Sequence, residues 1–136
     1  MVKIETTYLG DLRCEAVHGP SGTRLHTDAP KDNHGKGESF SPTDLVATAI
    51  GSCILTVMGI AARSMNVDLT GARVSVEKHM AQAPVRRIAR LAVHVHMPAK
   101  LPPDQMQKLE HTAHTCPVHQ SLHPDVEKPI TFTWGN

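Results

Sequence analysis

The chain has 136 residues, 40% hydrophobic and 20% charged, with a formal net charge of +1. This length suits one domain with a modest core, and the composition excludes a disordered chain. The near-neutral charge gives no reason to expect a nucleic-acid or anionic-membrane partner, and four aromatics (Tyr8, Phe40, Phe132 and Trp134) are too few for a base-stacking platform.

The opening segment, MVKIETTYLG, lacks the apolar stretch of a signal peptide. Its alternation of Val2, Ile4, Thr6 and Tyr8 with Lys3, Glu5 and Thr7 predicts a strand. Gly10-Asp11 marks a turn, Leu12, Cys14 and Ala16 share one face of a second strand, and Gly19-Pro20-Ser21-Gly22 is a second turn. A third strand is expected from about Thr23 to Thr27, with Arg24 and His26 on one face and Leu25 on the other. Together these make an antiparallel β-meander.

Residues 29–40, APKDNHGKGESF, form a polar loop of a length often tied to function. A helix start follows. Ser41 suits the N-cap, Pro42 the first helical position, and Asp44, three residues after Ser41, completes a capping box. The helix is expected to run to about Met65. From Leu45 to Ala62 it carries no charge, which raises the question of a membrane span. Thr48, Gly51, Ser52, Thr56 and Gly59 dilute its hydrophobicity and no basic or aromatic belt flanks it. It reads instead as a long central core helix. One subunit of this size would struggle to cover it, which favours a dimer.

The remaining chain predicts a second α+β unit. Val74 and Val76 lead a strand, Ala83-Pro84 lies in a turn, and Leu91, Val93, Val95 and Met97 alternate with Arg90, Ala92, His94 and His96. Pro102-Pro103-Asp104 starts a helix whose apolar stripe is Met106, Leu109, Ala113 and Cys116, with Pro117 interrupting it. A turn-like stretch through Pro124 leads to a last strand, in which Ile130, Phe132 and Trp134 alternate with Thr131 and Thr133.

The three cysteines are odd in number and widely spaced, which does not resemble a secreted disulfide framework. A reducing cytoplasm fits better, with any disulfide transient. Cys14 reads as structural, on a strand face with Leu12 and Ala16. Cys53 sits mid-helix in AIGSCILTV, with Ala49, Ile50, Val57 and Ile60 on its face. Cys53 and Cys116 both read as buried small hydrophobes or as a reactive pair. A reactive Cys53 needs a cation from elsewhere, because apolar surroundings raise a thiol pKa and a mid-helix position is remote from the positive helix N-terminus. A rival reading takes His111, His114, Cys116 and His119 as metal ligands, but H-x2-H-x-C-x2-H matches no zinc pattern and Pro117 separates His119 from the helix.

Two segments, SPTDLVATAIGSCILTVMGIAAR (residues 41–63) and HTCPVHQSL (residues 114–122), resemble the OsmC/Ohr superfamily of osmotically inducible and organic hydroperoxide resistance proteins. The resemblance spans nearly the whole chain, as one OsmC-like domain over residues 1–136. It implies an α+β fold of N-terminal meander, long helix and C-terminal hairpin–helix–strand unit, assembled as an intertwined homodimer. It further implies a thiol-dependent peroxidase, with Cys53 as peroxidatic and Cys116 as resolving cysteine. Peroxide is then the substrate and a dithiol or protein thiol the reductant, with no metal or other cofactor. The family also uses an arginine from the N-terminal strands to hold the thiolate, for which Arg13 and Arg24 are candidates. The glutamate that orients this arginine in the organic-hydroperoxide members is Thr43 here, so either Asp44 or Glu38 substitutes or the arginine is held differently. That departure keeps a second function open, a non-catalytic dimer binding a small apolar or thiol-reactive ligand.

Overall fold

The computed structural model describes residues 1–135, which form two compact units, Met1–Val46 and Ala47 onward. The first unit is the predicted meander. Strands β1 (Ile4–Gly10), β2 (Arg13–His18) and β3 (Arg24–Asp28) pair antiparallel in that order. Tyr8, Cys14 and Thr27 stand opposite one another, as do Thr6, Ala16 and Leu25. Side chains directly opposite share a face, so Ile4, Tyr8, Cys14, Ala16 and Leu25 make one apolar surface. Much of it is open: Ile4 is 61% exposed and Tyr8 62%.

The loop after β3 folds back on itself through a single 3-10 turn at Lys31–Asn33. Gly35 and Gly37 donate backbone hydrogen bonds to Pro30 and Ala29. A side chain at Gly35 would put its Cβ 1.8 Å from the Ala29 carbonyl oxygen, so only glycine permits this closure. The return brings Glu38 to the end of β3, where its N–H donates to Asp28 Oδ2 at 3.1 Å.

Helix α1 (Pro42–Ser64) starts where the capping box places it. Asp44 N–H donates to Ser41 Oγ at 3.1 Å, and Ser41 N–H donates to Asp44 Oδ2 at 2.9 Å. Two of the donors that a helix start leaves unpaired are thereby satisfied.

In the second unit, β4 (Arg73–Ala81) and β5 (Arg87–Met97) pair antiparallel, and β6 (Ile130–Trp134) lies parallel to β5. The connection from β5 to β6 carries α2 (Pro103–Ala113) and α3 (Pro117–Ser121). The alternation in β5 is realised in full: Leu91, Val93, Val95 and Met97 are buried, with Leu91, Val95 and Met97 wholly inaccessible. Each such side chain contributes about 1.5–3 kcal/mol by burial. On the other face, His94 bonds to Thr131 and Thr133 of β6, and His96 to Thr133.

Within this unit α1 buries one stripe, Ala47, Ile50, Gly51, Ile54, Met58 and Ala62, at helical spacing. Gly51 lies against Val74 and Val76 of β4, where a Cβ would meet their methyls at 3.0 and 3.3 Å. The outer side of the helix remains uncovered in the single chain, with Ile60 65% exposed. By length and a mean hydropathy of 2.1 the helix could cross a membrane, and a third of that window is buried.

Candidate functional site

Of the residues singled out in the sequence, the structure brings Cys53 and Cys116 together. Cys53 lies beside the most buried stripe of α1 and is itself half-buried, with Ile50 and Ile54 on either side fully inaccessible. Cys116 is fully buried. The two thiols lie close enough for Cys53 to raise the pKa of Cys116, and both are free.

Cys116 does not end the stripe of α2, as its spacing from Ala113 suggests. That helix stops at Ala113, and Cys116 is the N-cap residue of α3. Pro117, expected to interrupt a helix, begins one, because a residue without an N–H and with a fixed φ suits the first helical position. The Cys116 Sγ therefore acts as a capping acceptor and receives the His119 N–H at 3.3 Å. Burial, followed by the hydrogen bond to Cys53, pushes the Cys116 thiol above its ordinary range, while the N–H groups of His119 and Val118 pull the other way. Cys116 is thus held as a thiol beside Cys53.

The proposed arginines both lie in the N-terminal unit. Arg13 Nη2 contacts Glu38 Oε2 at 2.7 Å and Asp28 Oδ2 at 3.7 Å. The hydrogen bond from Arg13 to Glu38, then the charge of Glu38, holds the guanidinium more firmly protonated. Asp28 is 2% exposed, and its Oδ1 has no hydrogen-bond partner. Arg24 pairs instead with Glu15, which also contacts His26 Nε2 at 3.0 Å. Asp44 serves the capping box and Glu38 the arginine. Sequence reasoning missed Asp28; the signal for it was a lone carboxylate at a strand end, directly opposite Arg13 in register.

The histidines near Cys116 do not converge on a point. The His114 and His119 rings meet edge to face with centroids 6.1 Å apart. Among the described residues, no group of three or more His, Cys, Asp or Glu gathers closely enough to hold a metal ion. His119 is kept below the usual imidazole range by burial first, then by the nearby charges of Lys128 and His114. Beside the outer face of α1 a groove of about 520 Å³ runs along residues 67–72, lined by Leu55, Ile60, Arg63, Val67 and Leu69 among others.

The family model described as OsmC-like protein matches residues 35–129. A Psychrobacter arcticus protein, provisionally described as an osmotic stress induced and detoxification response protein, is 43% identical. Its structure superposes with a TM-score of 0.92 over 98% of this chain and 96% of that one. An organic hydroperoxide resistance protein OsmC from Legionella pneumophila is 17% identical, with a TM-score of 0.79 over 98% of this chain and 96% of its own. The OsmC like protein from Mycoplasma pneumoniae is 13% identical, with a TM-score of 0.84 over 100% and 98%. No curated protein sequence matches the chain. With the model covering well over half the sequence and a close structural counterpart along nearly its full length, the chain belongs to the OsmC-like family.

Proposed function

We propose that the protein is a cysteine peroxidase in which Cys53 reduces peroxides and Cys116 resolves the product. One observation carries this reading: two free thiols from distant parts of the chain lie close enough inside one small core for one to perturb the ionisation of the other. Of the two, Cys53 is the more accessible to a substrate, while Cys116 is held protonated. The Cys53 thiolate attacks the terminal oxygen of a hydroperoxide, the O–O bond breaks, and the alcohol leaves after taking a proton. The Cys53 sulfenic acid then accepts attack by Cys116. A Cys53–Cys116 disulfide forms and water departs. An external dithiol returns both thiols, and no metal, haem or flavin enters the balance. The setting that suits such a cycle is a reducing cytoplasm.

We assign the activating positive charge to Arg13 in preference to Arg24. Two carboxylates fix its guanidinium, one of them buried, whereas Arg24 is engaged by Glu15 and largely exposed. The working unit in this proposal is a homodimer. The uncovered apolar side of α1 and the open face of the meander are what a second copy would bury.

Peroxide consumption with dithiothreitol as reductant tests the proposal. Cys53→Ser abolishes turnover, and Cys116→Ser stops disulfide formation. Wild-type protein that consumes neither an organic hydroperoxide nor hydrogen peroxide refutes it.

A further inference from the structure

The two sulfurs differ in depth, and this bears on how the disulfide of the proposed cycle is reopened. Cys116 is 0% exposed, as are Leu109 and Ala113 of the helix before it. Cys53 is half-buried. Thiol–disulfide exchange is an in-line displacement, so the entering thiolate approaches the attacked sulfur from the side opposite the leaving one. Cys116 has no surface open to an entering thiolate, whereas Cys53 keeps some.

The departing sulfur points to the same order. The backbone N–H groups around Cys53 are bonded within α1, because Cys53 is mid-helix. Cys116 heads a short helix, and its sulfur already accepts the His119 N–H at 3.3 Å, with Val118 a second backbone donor. A thiolate leaving at Cys116 is met by donors that are in place before the bond breaks.

Building on the redox reading above, we propose that the reducing thiol attacks Cys53 and that Cys116 is the leaving group. The entering sulfur bonds to Cys53, the Cys53–Cys116 bond breaks, and the electron pair departs on Cys116, which takes up the proton that the entering thiol gave up. A second thiol, from the same dithiol or another molecule, displaces the first and frees Cys53. The site therefore selects a thiol on a slender chain that can reach a half-buried sulfur.

The test starts from protein oxidised with diamide, so it does not depend on peroxide turnover. A brief pulse of 2-mercaptoethanol, an acid quench, N-ethylmaleimide labelling and peptide mass mapping locate the adduct. The expected result is at least a tenfold excess of mercaptoethanol on Cys53, with maleimide on Cys116. Equal labelling, or an adduct mainly on Cys116, overturns the proposal. Failure of diamide to join the two cysteines sinks the redox reading beneath it, a result distinct from a disulfide that opens at the wrong sulfur.

Discussion

Closing the Cys53–Cys116 pair should stabilise the fold by an amount its geometry fixes. The crosslink would enclose a loop of about 64 residues, and the chain-entropy relation gives about 4 kcal/mol for a loop of that size. For a chain of this length each kcal/mol moves the thermal midpoint by about 3–4 °C, so oxidation should raise it by about 12–16 °C. The assay is thermal or urea unfolding of diamide-treated protein against reduced protein, at one protein concentration so that any association equilibrium is held fixed. Cys116→Ser should show no response to oxidant. The two sulfurs already lie near one another in the reduced state, so bonding calls for little movement. An oxidised wild type no more stable than the reduced form would mean that bonding strains the core by as much as the crosslink contributes. The same stabilisation in Cys116→Ser would place the effect elsewhere, and either result refutes the reasoning.

Removing Cys53 should ease the ionisation of Cys116. In Cys53→Ala the thiol should titrate lower by absorbance at 240 nm than in wild type, yet stay above an ordinary thiol because burial, the larger cause, remains; an unchanged titration contradicts the contact. Because the folded-state pKa of Cys116 is raised, its contribution to stability is present below the ordinary thiol range and is lost as pH climbs through the folded value. His119 works in the opposite direction: its folded pKa is depressed, so stability present above about pH 6.5 is lost as pH falls, and His119→Gln should flatten that acid limb in urea unfolding. Asp44→Ala removes one half of the capping box and should cost about 1 kcal/mol in equilibrium unfolding, with a loss below a few tenths counting against the cap.

Local chemistry made much of the fold legible. Ser41, Pro42 and Asp44 fix the start of α1 because a capping box acts over three residues, and the alternation in β5 maps one-to-one onto burial. Strand β3 runs from Arg24 to Asp28, one residue later than expected at each end, and α1 stops at Ser64. What spacing could not show is which elements lie side by side. The parallel partnership of β6 with β5 depends on a connection carrying two helices. The clamp on Arg13 joins residues 25 positions apart through a folded loop, so nothing local announces that Glu38 takes the guanidinium while Asp44 serves the helix start. The spacing of Cys116 from Ala113 fits one more helical step and so points to the face of α2. The chain leaves helical order after Ala113 and restarts at Pro117, which turns a stripe residue into a cap.

The parallel pairing of β5 and β6 has a mechanical consequence for the deeper sulfur. The segment that carries Cys116 leaves from the end of β5 and returns as the strand hydrogen-bonded to that same β5, and the Trp134 indole N–H fastens to Glu110 of α2. The sulfur hangs in a sling stitched to a single strand at both ends, with a cross-tie between. It has little slack to search for a mate, so bond formation proceeds as a collision already arranged.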